Sequence, residues 1–169
     1  MEHTGTPDKG VIPMATGTPA TLALRKAGIA FTIHEYDYDP NAPRVGLQAA
    51  EALGVSPTRL LKTLMAKAGD IVCVVIPSDQ EVSLRKLATA VGAKDAAMLL
   101  AAEAERITGY KVGGISPFGQ RRKVRTFIEE AALAHPTIIV NGGRRGLQVE
   151  LAPQDFVQFL GATKVSVAV

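Results

Sequence analysis

The chain has 169 residues and a mass of 17.8 kDa, a size for one domain with a tail rather than for two domains. Its 47% hydrophobic content and mean hydropathy of +0.15 exclude disorder throughout, and no window holds the roughly 18 consecutive apolar residues that a membrane-spanning helix needs. A single cysteine, Cys73, excludes an internal disulfide and suits a reducing compartment; His3, His34 and His135 are too scattered to build a metal site with it. The expectation is a compact, soluble, cytoplasmic protein that needs neither metal nor cofactor.

The net charge of +3 is unevenly spread. Between Lys111 and Arg145 the bases are Lys111, Arg121, Arg122, Lys123, Arg125, Arg144 and Arg145, against the acids Glu129 and Glu130, a balance of +5. The remainder carries twelve bases and fourteen acids, a balance of −2. Such segregation is the footprint expected for a polyanionic partner, and a merely solvated basic patch is the competing reading.

Residues 1–17 (MEHTGTPDKGVIPMATG) show no apolar period and lack the basic and apolar regions of a secretory signal, so they read as a flexible leader to a single domain over 18–169. Thr18-Pro19 then caps a helix over 20–27 that Gly28 stops. Residues 31–38 alternate: Phe31 and Ile33 face a core, while Thr32, His34, Tyr36 and Tyr38 make a polar, aromatic side. A helix over 45–53 ends at Gly54, and 61–67 form a strand. The run Ile71-Val72-Cys73-Val74-Val75-Ile76 predicts a strand buried on both faces. Ser83 caps a helix over 84–91, followed by a short strand over 96–99 and a helix over 101–107. Strands over 124–128, 137–140 and 147–151, a helix from Pro153 to 160 and an edge strand over 165–169 complete the chain. The interleaving has no steady βαβ rhythm, which predicts an α+β fold with a mixed, strongly curved sheet.

Three features carry possible chemistry. The loop over 109–119 holds four glycines in eleven residues, suited to positive φ and close backbone approach. It reads either as a tight connection or as an anion-binding nest of amides; the P-loop and dinucleotide spacings are absent. The turn Asn141-Gly142-Gly143-Arg144-Arg145-Gly146 reads as a hairpin whose arginines are either simply exposed or placed for phosphates. Lys62 is embedded between Leu60-Leu61 and Thr63-Leu64-Met65, either as a functional buried cation or as a lysine snorkelling from a strand edge. No nucleophile is apparent: Cys73 lies in a core strand, and Ser116 precedes Pro117 rather than a helix.

These residues in this order resemble a known family. Leu61-Lys62-Thr63-Leu64, then Thr108-Gly109-Tyr110, Gly113-Gly114-Ile115-Ser116-Pro117-Phe118-Gly119 and Gly142-Gly143-Arg144-Arg145-Gly146-Leu147 are similar to the YbaK/EbsC family of free-standing aminoacyl-tRNA editing proteins. That family is itself similar to the editing domain of bacterial prolyl-tRNA synthetase. Arg121-Arg122 and the hairpin turn resemble its Cys-tRNA(Pro) deacylase branch. The resemblance implies a mixed, barrel-like sheet flanked by helices and a cleft for the aminoacylated 3′ end of tRNA, with Lys62, Gly114 and Ser116 catalytic. It implies substrate contacts at Tyr36, Thr63, Tyr110, Gly113, Ile115, Pro117 and Gly119, and tRNA-backbone contacts at Lys111, Arg121, Arg122, Arg144 and Arg145. The family often has Asp where this chain has Gln148. The expected activity is clearance of Cys-tRNA(Pro), with Cys-tRNA(Cys) a further substrate. The substrate's own thiol attacks its ester, and prolyl-tRNA synthetase completes a ternary complex. The alternatives are an Ala-tRNA(Pro) deacylase that uses an activated water, and a non-catalytic module that binds tRNA or a synthetase.

Overall fold

Thr18 and Thr21 build a reciprocal capping box at the start of α1 (Pro19–Lys26), with Pro19 in the first turn where its missing N–H costs nothing. The computed structural model describes residues 6–8 and 17–169. The remaining stretches of the expected leader, 1–5 and 9–16, lie outside the described residues. Within that leader a short strand, β1 (Thr6–Asp8), pairs antiparallel with β2 (Phe31–Glu35), which the sequence pattern does not foretell.

The next elements are a 3₁₀ turn (Val45–Leu47) running into α2 (Gln48–Leu53), then β3 (Leu61–Ala68) and β4 (Asp70–Pro77). They are followed by α3 (Leu84–Val91), β5 (Ala97–Met98), α4 (Ala101–Thr108) and β6 (Arg125–Glu129). A 3₁₀ turn (Glu130–Ala134), β7 (Ile138–Arg144), β8 (Leu147–Leu151), α5 (Pro153–Leu160) and β9 (Thr163–Val165) end the chain. Strand β2 stops three residues before the alternation does, because its partner β8 begins at Leu147, opposite Glu35. The last strand lies earlier than expected, at 163–165, where it runs parallel to β6.

The α+β class is as expected, but the single strongly curved sheet resolves into two open ones. One is antiparallel with order β1-β2-β8-β7; the other is mixed with order β5-β3-β4-β6-β9. Among the described residues a single parallel bridge, Leu60 to Ile139, joins them. Beyond Leu60 the chain enters β3 and pairs with β4 instead, so the ladder does not close.

Both sheets contribute to one core. Phe31, Val140 and Val149 of the first pack with Met65, Val75 and Ile128 of the second. Strand β4 is buried from Val72 to Pro77, as an uninterrupted apolar run requires, because a second cluster with Leu87 of α3 and Phe127 covers its other face.

Candidate active site

Where the sheets part, a cavity of about 380 Å³ opens. One wall is β3, through Lys62, Thr63, Leu64 and Met65; facing it are Asn141 of β7 and Gln148 of β8. Tyr36 and Tyr38 come from the end of β2 and beyond, Ala49 from α2, and Gly113 and Ile115 from the glycine-rich loop. Among the described residues lining it there is no carboxylate, histidine, serine or cysteine. Its ionisable groups are Lys62 and the two tyrosines.

Lys62 sits at the rim. Its neighbours Leu61 and Met65 belong to the inter-sheet core and Leu64 packs with the α3 cluster, so the strand's period of two puts Lys62 on the face away from that core. Its ammonium donates to Glu81 Oε2 at 3.2 Å, and the Lys62 side chain is 25% exposed. Thr63 has its Oγ1 buried without a hydrogen-bond partner, and so has the Oε1 of Gln148. Tyr36 is held protonated: burial pushes its pKa up, Tyr38 adds to this, and a hydrogen bond with the Gln148 side chain only partly offsets them.

The glycine-rich loop divides by role. Gly113 and Ile115 face the cavity, and among the described residues neither amide donates a hydrogen bond. Gly114 does not line it: its amide donates to the Lys111 carbonyl at 2.8 Å, and a Cβ there would lie 2.7 Å from the Arg145 nitrogen. This glycine lets the loop press against the β7–β8 hairpin. Ser116 is fully buried, and its hydroxyl accepts from the Phe118 amide at 3.2 Å. Tyr110 is buried too, donating to the Phe118 carbonyl at 2.5 Å, and burial raises its pKa. Pro117 and Gly119 open on a second cavity of about 270 Å³, with Lys123 and Phe159. Gly119 has φ +68°, and a Cβ would meet the Pro19 carbonyl oxygen at 2.6 Å, so it seats the loop on the start of α1.

Of the expected site residues, the structure therefore gathers Lys62, Thr63, Tyr36, Gly113 and Ile115 around one cavity. It sets Gly114, Ser116, Tyr110, Pro117 and Gly119 behind or beside that wall. Tyr38, Asn141 and Gln148 join the lining without having been singled out as site residues. The alternation through Tyr36 to Tyr38 was a signal for the first. Asn141 is a turn-building residue: its Oδ1 accepts from the Gly143 and Arg144 amides at 2.6 and 3.2 Å, while its Nδ2 donates to the Gly113 carbonyl at 3.3 Å. It thus ties the hairpin to the loop.

The basic residues differ in surroundings. Arg145 stacks over the Tyr38 ring at 5.4 Å and donates from Nε to the Val112 carbonyl at 2.9 Å, which ties it to two residues of the cavity lining without lining it itself. Arg144 pairs with Glu35 at 3.0 Å and Arg122 with Asp70 at 3.3 Å, both on the surface. Lys111 and Arg121 are exposed, Arg121 lying against Gly109. Cys73 is wholly buried, which pushes its thiol up to about 12 and removes it from nucleophilic chemistry.

Next to Gln148 on the same face of β8, Glu150 anchors a polar cluster. It accepts from His34 at 2.7 Å and also from Arg59 and Thr137. Burial works to raise the carboxyl's pKa, but the Thr137, His34 and Arg59 contacts outweigh it and hold it below the usual value. Arg59 and the Leu60 bridge thereby clamp the start of β3, and with it Lys62, to the first sheet.

The fold is shared with a crystal structure described as "a putative trans-editing enzyme for prolyl tRNA synthetase", at a TM-score of 0.79 and 20% identity, covering 89% of this chain and 95% of that one. The profile of the aminoacyl-tRNA editing domain matches residues 39–159, which take in the glycine-rich loop, the hairpin and the cavity lining except Tyr36 and Tyr38. The chain belongs to the aminoacyl-tRNA editing domain family. It is 40% identical over 124 residues to a protein of Enterococcus faecalis named "Putative Cys-tRNA(Pro)/Cys-tRNA(Cys) deacylase EbsC", over 71% of this chain and 75% of that protein. It is 37% identical over 83 residues to the proline–tRNA ligase of Caldicellulosiruptor bescii, over 48% of this chain but 14% of the ligase.

Proposed function

We propose that the protein is a trans-acting deacylase that clears Cys-tRNA(Pro), and Cys-tRNA(Cys) with it, in the cytoplasm by letting the substrate's thiol attack its own ester. The observation that carries this reading is the composition of the cavity. Ester cleavage needs a nucleophile, yet among the described residues the lining holds no cysteine or serine and no carboxylate or histidine to activate water or the Thr63 hydroxyl, while the Lys62 ammonium is paired with Glu81.

In the proposed step the cysteinyl sulfur bonds to the ester carbonyl carbon, the bond from that carbon to the ribose oxygen breaks, and the thiol proton passes to the ribose oxygen. The products are a thiolactone and free tRNA. Intramolecular attack reaches effective molarities of about 10⁵ M in favourable geometry, although a strained ring lowers that figure. The protein's share is to bend the substrate and stabilise charge. The uncommitted Gly113 and Ile115 amides are the donors available to a developing oxyanion, and Lys62 supplies a cation at the rim. Lys111, Arg121, Arg122, Arg144 and Arg145, all from one basic stretch of the chain, are the cations proposed for tRNA phosphates.

A requirement for a thiol also rejects alanine and serine, which size alone distinguishes by only about 1–3 kcal/mol. The 83-residue likeness to a proline–tRNA ligase supports prolyl-tRNA synthetase as the partner that supplies tRNA selection. The test is a panel of Cys-, Ser- and Ala-tRNA(Pro), with S-methylated Cys-tRNA(Pro) as the blocked substrate. The expected outcome is cleavage of the free cysteinyl ester alone. Cleavage of the S-methyl ester at the same rate overturns the mechanism. Preference for Ala-tRNA points to a water-using deacylase, and salt-sensitive binding without cleavage points to a tRNA-binding module.

A further inference from the structure

Gln120 follows the glycine-rich loop and ties it to the second sheet. Its Nε2 donates to the Ser116 carbonyl at 3.0 Å and lies 3.6 Å from Met65 Sδ and 3.8 Å from Cys73 Sγ. Met65 of β3 and Cys73 of β4 are register partners, so the amide rests on one rung of that ladder. The carbonyl it holds follows directly on Ile115. Proline has no N–H, so the peptide between Ser116 and Pro117 offers only this carbonyl as a backbone handle.

Other side-chain ties of the loop run elsewhere. Asn141 Nδ2 donates to the Gly113 carbonyl and Arg145 Nε to that of Val112, both from the hairpin of the first sheet. The hydroxyls of Tyr110 and Ser116 bond within the loop. Lys62, however, stands on β3 of the second sheet, three residues before Met65. The hairpin bonds fix the loop against the first sheet, and Gln120 supplies a polar tie to the sheet that carries Lys62. It does so from outside the substrate cavity, on the wall of the second one.

Packing alone does not call for glutamine here. Sulfur is a weak acceptor, and a methionine would fill the same length without setting a polar amide against two buried sulfurs. What glutamine adds is a directed donor for the Ser116 carbonyl.

We propose that Gln120 is a positioning residue, holding the Gly113 and Ile115 amides at a set distance from Lys62 by fastening the Ser116 carbonyl to the Met65–Cys73 rung. The catalytic meaning of that distance rests on the deacylase reading; the tie itself does not.

In the unaltered protein, nuclear Overhauser contacts from the Gln120 side-chain amide to Met65 side-chain protons are expected. Their absence overturns the tie, and that measurement needs no variant to fold. Gln120→Met and Gln120→Glu each remove the donor at nearly unchanged size. In amide proton–nitrogen correlation spectra both are expected to move the Gly113 and Ile115 signals. Those of α3, on the other face of the second sheet, should stay in place. Unmoved loop signals in both variants overturn the proposal. Single-turnover cleavage of Cys-tRNA(Pro) per folded molecule is expected to fall about tenfold, within the ~10²-fold that a misplacement of about 1 Å can cost. Half-saturation should change less than about twofold, since the loss falls on the transition state. A glutamine that only packs gives a lower melting temperature with loop signals and rate per folded molecule unchanged. Moved signals with an unchanged rate also overturn the positioning role. Failure of the unaltered protein to cleave Cys-tRNA(Pro) removes the deacylase reading instead, and the spectra still decide whether Gln120 sets the loop.

Discussion

The glycine-rich loop has two sides that behave in opposite ways. Toward the cavity, Gly113 is exposed and Ile115 partly so, and among the described residues neither amide has a partner. Facing inward, Gly114, Ser116 and Tyr110 have their polar groups in hydrogen bonds within the loop. An uncommitted amide at an open surface is free to meet a ligand, whereas satisfied buried groups make the wall that holds them rigid. One motif therefore contains both a reactive surface and its mounting, and substitutions on the two sides should fail in different ways.

The largest effect is expected on the open side. Lys62→Ala should lower single-turnover deacylation about 10²–10³-fold, the size seen when one charge-stabilising donor is lost elsewhere. Its melting temperature should hardly move, since Lys62 has only an exposed ion-pair partner. Unchanged activity would take Lys62 out of the chemistry and erase the contrast. On the mounting side, Gly114→Ala places a methyl 2.7 Å from the Arg145 backbone nitrogen and 2.9 Å from the Arg144 carbonyl carbon, atoms that cannot rotate away. Denaturant unfolding should show a loss of about 1–3 kcal/mol, with activity falling as the loop shifts. A variant as stable as the parent would mean that this loop and hairpin are not locked.

How much of this was legible in the sequence follows from the same division. Elements set by local signals were readable: the Thr18 capping box, the Ser83 cap, the Gly54 and Gly92 stops, and the unbroken apolar run of β4. Strand partners were not, because pairing is decided by contacts distant in the chain. Hence the two open sheets in place of one curved sheet, and β1 inside the stretch read as a leader. Within the site, motif membership located the loop but not the direction each residue faces. Ser116 and Pro117 look as accessible in sequence as Ile115, yet in the fold Ser116 is fully buried and Pro117 opens on the second cavity. Gln148 stood out as a departure from the family pattern, while its unpaired oxygen became visible only with Tyr36 and the cavity in place.

The mounting extends to Glu150, which gives it a signature in pH. Its carboxyl is held below the usual value in the folded protein by Thr137, His34 and Arg59 against the opposing effect of burial. The stability it contributes is therefore complete above the unfolded carboxylate value of about 4.3, and is lost as pH falls through the lower folded value. Glu150→Gln should be less stable at neutral pH and should lose less on acidification, as read from urea midpoints between pH 6 and 3. Parallel acid profiles for the two proteins would show that the cluster does not clamp β3 through its charge.

The smallest effect tests whether the rim of the cavity belongs to the open side or to the mounting. Glu81, the partner of Lys62 at 3.2 Å, has a side chain 81% exposed, so the pair contributes little to folding, on the order of 0.2–1 kcal/mol. Its backbone is nevertheless fixed: the Glu81 amide donates to the Val169 carbonyl at 3.0 Å, and the Val169 amide returns a bond at 2.8 Å. The carboxylate is thus a loose hand on a firm arm. If it only parks the ammonium until substrate arrives, Glu81→Gln should leave stability unchanged within error and alter deacylation less than threefold. That small change should vanish in 0.5 M salt, where exposed charges no longer sense each other beyond a few ångströms. A tenfold loss that persists in salt would instead place Glu81 among the groups that orient Lys62 for reaction, and the rim would have to be counted with the mounting.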